Sequence, residues 1–441
     1  MPTPVSALLH AATLVTAGIF LLLRSSPILS YSSDALLVIT LIGSLTAFVA
    51  GTTALVQNDL KRIIAFSTIS QLGYMMIAIG LAQWNIALFH TVLHAFFKAL
   101  LFLSAGVIIH SLSDQQDIRK MGGLIKFLPF TYIIMLIGTI ALLGLPWLSG
   151  FYSKDLILEL AFGKYQFTSL FAFTLGTITA CLTAFYSVRL INLVFFTVPN
   201  ANKNSYLNIH AEPLTVIIPL TILALFAIFL GFIGSDVVAM GSDFFANSLF
   251  YHPSQINIIE AEFSLPTYIK LLPTILSLIG AFAAFYLYHY SSDFITNLTY
   301  NTKMNLGRIL YTFLNGKYLF DIIYNNYFIS GGLKLGYIVS KMLDKGIIEL
   351  IGPYGLTEGS YSTSYNMTKL DTGIITTYAL IIALGLISLV FLIFSPILLS
   401  NFTISAPMLV STSQNLFNLL TFKIILLSIV STFLVLNIKL N

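Results

Sequence analysis

Three ionisable side chains lie in one apolar stretch of the sequence, four residues apart. They are His90, His94 and Lys98, in the segment FHTVLHAFFKALLFL. Residues at this spacing project from nearly the same face of an α-helix, so the three would form a row. An imidazole changes charge near neutral pH and a lysine amine can gain and lose a proton. The row therefore has the chemistry of a proton path.

The segment that carries this row is long enough to cross a bilayer. Residues 86–109 are otherwise apolar or small. Because a charged group at the centre of a membrane helix costs about 2.5–3.5 kcal/mol, it usually faces a partner or a water-filled cavity. Alternatively, Lys98 could extend its amine to the membrane interface, although it lies near the middle of the segment. His90 and His94 could instead be structural or bind a metal, but no nearby carboxylate or cysteine completes a metal site.

The composition is that of an integral membrane protein. Hydrophobic residues make up 57% of the chain and charged residues 9%, whereas a soluble domain carries about 25% charged residues. The mean hydropathy is +0.91. The formal net charge of +4 gives no reason to expect a nucleic-acid partner. A single cysteine, Cys181, excludes an internal disulfide framework and any multi-cysteine metal or iron–sulfur site within this chain.

Apolar segments separated by short polar loops predict an all-α membrane protein with about ten spans in one continuous bundle. The predicted spans are 4–23, 36–57, 60–81, 86–111, 127–162, 168–196, 214–233, 271–290, 376–394 and 416–436.

The fifth predicted span, 127–162, is too long for one bilayer crossing and is interrupted by Gly144, Pro146 and Gly150. Lys154 and Asp155 stand directly after the interruption. A membrane helix that breaks beside charged residues is a recurring feature of transporters. These two side chains could instead stabilise a helix end.

The segment 317–370 predicts a long amphipathic helix at the membrane interface or against other membrane helices. The motif GPYG at 352–355 should kink or interrupt it. Two faces are indicated, one with Lys334, Lys341, Lys345 and Glu349 and the other with Leu335, Ile338 and Met342.

Several long blocks of the sequence stand out together. They are PTPVSALLHAATLVTAG (2–18), QNDLKRIIAFSTISQLGYM (57–75), HAFFKALLFLSAG (94–106), DIRKMGGL (117–124), GFYSKD (150–155), KYLFDIIYNNYF (317–328) and GPYGL (352–356). In their order and spacing these blocks resemble one known family, chain 5 of mitochondrial NADH:ubiquinone oxidoreductase, which is the antiporter-like membrane subunit of respiratory complex I.

The resemblance implies roles for residues of this chain. Lys98 would be a central proton carrier in a relay with His90 and His94, and His10 would bridge two half-channels. Lys154 would be the exit-side lysine and Asp155 its neighbouring carboxylate.

The resemblance also implies an organisation and a setting. An antiporter-like bundle would span 1–300, a lateral helix 301–372 and C-terminal anchor helices 373–441. We expect the lateral helix to brace neighbouring pump subunits rather than to act as a coupling rod. The chain would be a multi-pass subunit of an H⁺-translocating NADH:ubiquinone reductase in the mitochondrial inner membrane. No redox active site or cofactor is expected on it, so NADH, flavin, iron–sulfur clusters and ubiquinone would bind to other subunits.

One departure from the family affects the expected partners. The block PTPVSALLH normally follows several helices, whereas here it follows Met1 directly. We therefore expect the C-terminal part of a split or truncated subunit. A second polypeptide would supply the family's earlier lysine and its paired glutamate. Two alternatives are a non-pumping structural or assembly fragment and a subunit of a multisubunit cation/proton antiporter.

Overall fold

The computed structural model describes residues 5–207, 209–210, 212–235, 248–250, 252–253, 265–291 and 306–403. Contacts between Cα atoms divide the chain into a first unit, Met1–Asp321, and a second unit, Ile322–Asn441. The two units are described separately below. The predicted domain boundary at residue 300 and the predicted span 416–436 lie outside the described residues.

The first unit is a bundle of ten main helices, counted over the described residues. Seven of them, α1–α4 and α7–α9, are long and apolar enough to cross a membrane. The predicted all-α membrane fold is thereby confirmed for this part of the chain. The helices are α1 (Ser6–Arg24), α2 (Ser33–Val56), α3 (Leu60–Gly80), α4 (Trp84–Ser111), α5 (Pro129–Leu143), α6 (Phe151–Asp155 followed by Leu156–Gly163), α7 (Phe167–Phe196), α8 (Leu214–Gly234), α9 (Thr267–His289) and α10 (Leu306–Asn315).

Helices α3, α4 and α7 form the centre of this bundle, because most of their residues are buried, whereas α1, α8 and α9 bury about a third of theirs or fewer. Small residues let α2 and α3 approach closely. A Cβ placed on Gly73 of α3 would lie 2.7 Å from the Ala47 backbone nitrogen of α2. Close backbone approach through small residues is how membrane helices commonly pack. Helix α3 also packs on α4, which carries the ionisable row.

The predicted interruption of the fifth span is confirmed as a break between α5 and α6. Helix α5 ends at Leu143, and Gly144 follows in the left-handed conformation with φ 79° and ψ 37°. That conformation is favourable for glycine and costly for a residue with a Cβ. The chain turns through residues 145–148, is helical again from Ser149 and continues into the segment Phe151–Asp155. The break places the start of α6 against the centre of the bundle.

A buried arginine links two helices by hydrogen bonds at one end of the bundle. The Arg189 guanidinium of α7 donates to the carbonyl oxygens of Leu55 (2.6 Å) and Gln57 (2.8 Å), at the C-terminus of α2. It also donates to Asn58 Oδ1 at 2.9 Å, and the Asn58 amide donates to the Tyr311 hydroxyl of α10 at 3.1 Å. A cation that binds the last carbonyls of a helix is favourably placed in the field of the helix dipole.

The second unit is helical over most of its described residues. Helix α11 runs through the consecutive segments Tyr324–Ile329, Ser330–Ile338, Val339–Ile348 and Glu349–Ile351, and it is followed by α12 (Pro353–Thr368) and α13 (Ile375–Thr403). The predicted interruption at Gly352 and Pro353 is confirmed. Leu335, Ile338 and Met342, the predicted apolar face, are more than half exposed. The other predicted domain boundary, 372/373, falls between α12 and α13.

Candidate functional site

The row predicted on α4 lies inside the bundle. His90, His94 and Lys98 each have 0% exposure. The i, i+4 spacing alone places them on one face of the helix. That face meets α3 on one side and the start of α6 on the other, which brings the three side chains together with the charged residues after the break.

Lys98 reaches a partner within the bundle instead of the surface of the chain. Its Nζ donates to the Ser67 hydroxyl of α3. Ser67 in turn donates to the Ile64 carbonyl oxygen at 2.7 Å. Within the described residues, no carboxylate forms an ion pair with Lys98. The amine is therefore held by a neutral hydroxyl, which can pass a proton on because it both accepts and donates.

His90 joins α4 to two other helices. Its Nε2 lies 3.2 Å from Gln71 Oε1 of α3, and its Nδ1 lies 2.9 Å from the Ser153 hydroxyl of α6. With the amide in this orientation, Nε2 carries a hydrogen and donates to Gln71, so the Nδ1 of a neutral ring accepts from Ser153. A protonated ring would instead donate to Ser153, whose hydroxyl lies 3.5 Å from the Gly150 carbonyl oxygen. Both protonation states thus find hydrogen-bond partners.

His94 stands between these two residues in the row. Its ring centroid is 6.3 Å from that of His90, and it meets the Phe97 ring edge to face at 5.3 Å. Neither of its ring nitrogens has a hydrogen-bond partner among the described residues. In that part of the chain, no third histidine, cysteine or carboxylate joins the pair in a cluster that could hold a metal ion.

Lys154 lies directly after the break and is 1% exposed. Its Nζ donates to the Leu143 carbonyl oxygen (3.4 Å) and to Thr183 Oγ1 of α7 (3.2 Å). The nitrogen also lies 5.5 Å from the centroid of the Tyr74 ring of α3, within the range of a cation–π interaction. Because Leu143 is the last residue of α5, the lysine satisfies a carbonyl that the break leaves without a helical partner.

Asp155 is 4% exposed. Its carboxylate lies beside the break, where Oδ1 is 3.4 Å from the position that a Cβ on Gly144 would occupy. No hydrogen bond or ion pair joins Asp155 to Lys154 in the described structure, as expected for adjacent side chains that point in different directions. Oδ2 has no hydrogen-bond partner among the same residues.

His10 lies apart from this cluster. It is half-buried in the first turns of α1, a helix that packs on α4. Among the described residues, it makes no hydrogen bond to the row. The structure therefore brings five of the six predicted residues together, with His10 on a neighbouring helix.

Helix α3 provides a polar partner for three of the ionisable residues. Ser67, Gln71 and Tyr74 are spaced i, i+4 and i+7, so they share one face. Ser67 accepts from Lys98, Gln71 meets His90, and the Tyr74 ring faces Lys154. The Tyr74 hydroxyl donates to the Gly176 carbonyl oxygen at 2.6 Å, which fixes the ring against α7.

Our sequence reasoning did not identify three of these partners, Ser153, Thr183 and Tyr74. Ser153 carries a signal of its own, since it directly precedes Lys154 in the motif GFYSKD. Tyr74 lies near the end of the block 57–75 quoted above. Thr183 carries no signal, because hydroxyl-bearing residues are common in membrane helices as cross-links between neighbours.

The arrangement can hold and transfer protons between two buried amines. Lys98 lies at one end and Lys154 at the other, with His94, His90 and Ser153 between them. Two positive charges in a medium of low dielectric constant repel each other strongly. A proton gained at one lysine therefore disfavours a charge on the other.

Family models match almost the whole chain. Residues 1–183 match the model described as "NADH:quinone oxidoreductase/Mrp antiporter, TM", and residues 186–394 match "NADH dehydrogenase subunit 5 C-terminus".

Curated relatives named NADH-ubiquinone oxidoreductase chain 5 are similar over most of the chain. The protein from Schizophyllum commune is 64% identical over 91% of this chain and 58% of its own length. The protein from Mycosarcoma maydis is 60% identical over 88% of this chain and 57% of its own length. The chain thus spans less than two thirds of the relatives it matches.

A solved structure shares the fold. The Mrp complex from Dietzia sp. DQ12-45-1b aligns with a TM-score of 0.55 at 23% identity, over 83% of this chain and 38% of the matched chain.

Proposed function

The chain belongs to the family of NADH-ubiquinone oxidoreductase chain 5, and we propose that it helps move protons across a membrane as a subunit of respiratory NADH:ubiquinone oxidoreductase. The observation that carries this proposal is the row of His90, His94 and Lys98, which is fully buried on α4 and linked through Ser153 to the start of α6. Ionisable groups at membrane depth are costly and usually functional.

The proposed path runs between Lys98 and Lys154. A proton on Lys98 would pass to His94 and then to His90. It would leave His90 through Ser153, which lies 2.9 Å from Nδ1, and reach Lys154 on the same turn of α6. Proton transfer requires hydrogen-bonded neighbours, directly or through one water. Because His94 has no protein partner among the described residues, we assign its two hops to water.

Asp155 and His10 have supporting roles in this scheme. Asp155 would receive the proton at the exit side, where its carboxylate lies beside the break. His10 would bridge this half-channel to a second one. One charge moved against 100 mV requires about 2.3 kcal/mol. That energy must come from chemistry elsewhere in the assembly, as a change in proton affinity or access at these groups.

The remaining proposals concern the assembly. We infer that the partners are the other membrane subunits of complex I, that the location is the mitochondrial inner membrane, and that redox cofactors are carried by other chains. We assign α11 and α12, with their exposed apolar side chains, to bracing neighbouring membrane subunits. A second candidate function, a subunit of a cation/proton antiporter, is favoured by the shared fold of the Mrp complex.

Purification of the native membrane complex tests the proposal. Mass spectrometry should find NADH-oxidising subunits together with other membrane subunits of complex I. Liposomes that contain the complex should acidify when NADH is oxidised by a quinone. Co-purification with antiporter subunits only, together with cation-driven proton exchange, would favour the second candidate. A complex that oxidises NADH but whose proton output does not change when Lys154 is replaced by methionine would support the structural fragment instead.

A further inference from the structure

A groove lies between the C-terminal end of α4 and the N-terminal end of α8. Its volume is about 600 Å³ and it is partly open to the outside of the bundle. Cavities of this size commonly hold small ligands. Both helices are long and apolar enough to cross a membrane, so their ends lie near the membrane–water interface. The groove therefore extends from the interface into the depth of the hydrocarbon layer.

The deeper part of the groove is apolar and is formed by one stripe on each helix. Leu103 and Val107 are four residues apart on α4, and Val216 and Leu220 are four residues apart on α8. Each pair therefore lies on a single helical face. At a rise of 1.5 Å per residue, Leu103 lies about 10 Å deeper than His110, which marks the polar end. This part of the groove suits a hydrocarbon chain.

The end of the groove at the interface carries groups that suit a phosphate. His110, Ser111 and His210 line it, and imidazole and hydroxyl groups can donate hydrogen bonds to phosphate oxygens. Helix α8 begins here at Leu214, and the preceding residue, Pro213, has no side-chain oxygen with which to cap it. The partial positive charge of a helix N-terminus adds to the attraction for an anion.

One carboxylate stands at the same end. Glu212 lines the groove and is half-buried. The hydroxyl of Thr131, a fully buried residue in the first turn of α5, donates to Glu212 Oε1 and so orients the carboxylate. A carboxylate can accept about four hydrogen bonds, which leaves capacity for a ligand. In addition, Pro219 has no N–H to donate to the carbonyl of Thr215, another residue at the groove. These acceptors suit a cationic donor.

We propose that this groove binds a phospholipid whose headgroup carries a primary ammonium, of the phosphatidylethanolamine type. The ammonium would donate to Glu212, the phosphate would accept from His110 and Ser111, and one acyl chain would lie along the apolar stripes. Phosphatidylcholine matches less well because its quaternary ammonium has no N–H. A lipid without a cationic group would bring its negative charge to Glu212 uncompensated. This site goes beyond the proposed proton translocation and does not depend on it.

Photoreactive lipids test the site in the purified membrane complex that contains this chain. The probes are a phosphatidylethanolamine and a phosphatidylcholine with the same diazirine-bearing acyl chain, and mass spectrometry identifies the labelled peptides. We expect the ethanolamine probe to label the peptides of residues 103–113 and 213–220, and unlabelled phosphatidylethanolamine to compete with it. Equal labelling by both probes, or labelling outside these peptides only, would overturn the proposal.

Glu212→Gln removes the charge but keeps an oxygen that can accept from Thr131. We expect it to weaken binding of the ethanolamine probe at least about tenfold, which corresponds to about 1.4 kcal/mol, and to leave labelling by the choline probe unchanged. A merely structural effect would lower both. Glu358→Gln is the matched control, because Glu358 is an exposed carboxylate on α12. Unchanged binding of the ethanolamine probe by Glu212→Gln would overturn the role of the carboxylate.

A second variant and a structure complete the test. If Glu212→Gln does not assemble, Val107→Phe, which narrows the apolar part of the groove, should lower labelling by the ethanolamine probe at least about tenfold, and undiminished labelling would overturn the site. In a high-resolution structure of the intact complex, a headgroup nitrogen should lie within hydrogen-bond distance of Glu212. A protein segment seated in the groove would overturn the proposal. A complex that binds this lipid but does not pump would overturn the proposed function alone.

Discussion

Replacing Lys98 by methionine separates the role of its amine in proton transfer from its role in folding. Methionine is close to lysine in length and is apolar, so it can occupy the same fully buried space. The change removes a cost of about 2.5–3.5 kcal/mol for a charge at membrane depth. It also removes one hydrogen bond to Ser67, which contributes about 1.5–3 kcal/mol when the donor is charged.

The free-energy cost of the buried charge and the free energy of its hydrogen bond to Ser67 nearly cancel. The Ser67 hydroxyl keeps its bond to the Ile64 carbonyl oxygen at 2.7 Å, so no donor is left without a partner. The free energy of unfolding should therefore change by less than about 2 kcal/mol in either direction. Loss of a positioned proton carrier typically slows proton transfer by at least about 100-fold. We expect proton flux through this chain to fall by that factor while the subunit still assembles.

The assay compares three readouts in the purified complex: assembly on a native gel, thermal unfolding, and NADH-driven acidification of liposomes. Lys126→Met is the matched control, because Lys126 is exposed in the loop before α5 and undergoes the same chemical change. An assembled Lys98→Met complex that pumps like the wild type would refute the proton-carrying role. A variant that fails to assemble would refute the energy balance, since it would show that the amine stabilises the fold.

Three further perturbations address the surroundings of the site. Thr183→Val keeps the shape of the side chain but removes the oxygen to which Lys154 donates. We expect the free energy of unfolding, measured by chemical unfolding, to fall by about 1.5–3 kcal/mol. Thr183→Ser, which keeps the hydroxyl, should recover this loss. Gly144→Ala places a Cβ at φ 79° and should cost about 1–2 kcal/mol, seen as a lower unfolding temperature; an unchanged temperature would argue against the left-handed turn. Hydrogen bonds from Arg119 hold the pKa of the Asp117 carboxyl below its ordinary value. The stabilisation from this ion pair is therefore present above about pH 4 and is lost as the pH falls through the lowered pKa. Asp117→Asn should lower the free energy of unfolding by at most about 1 kcal/mol at neutral pH and leave it unchanged in acid. A difference in stability between variant and wild type that persists in acid would contradict this assignment.

The parts of the site that follow from local geometry could be predicted from the sequence. The alignment of His90, His94 and Lys98 depends only on the repeat of one helix. The break between α5 and α6 depends on glycines and a proline within an apolar run, because these residues interrupt a helix that is too long for one bilayer crossing. Both features are encoded by residues close together in the chain.

The partners of these residues could not be predicted in the same way. Ser153 meets His90 across 63 positions of sequence and Thr183 meets Lys154 across 29. Such pairs depend on which helices are neighbours and on how each is rotated about its axis, and an apolar composition gives little information on either. Arg189 is a similar case. It lies near the end of the predicted span 168–196, where an arginine commonly reaches the membrane interface, yet it is 5% exposed and binds the final carbonyls of α2.

The contacts of Lys154 determine which of its three hydrogens can depart. A protonated lysine has three N–H donors. Two are engaged by the Leu143 carbonyl and the Thr183 hydroxyl, while the face of Tyr74 lies near the charge without accepting a conventional hydrogen bond. A neutral amine retains two N–H groups, which suffice for Leu143 and Thr183. Deprotonation of Lys154 thus removes its cation–π attraction to the Tyr74 ring, but the hydrogen bond to the Leu143 carbonyl at the C-terminus of α5 remains. The broken helix can keep one shape through both halves of a transport cycle.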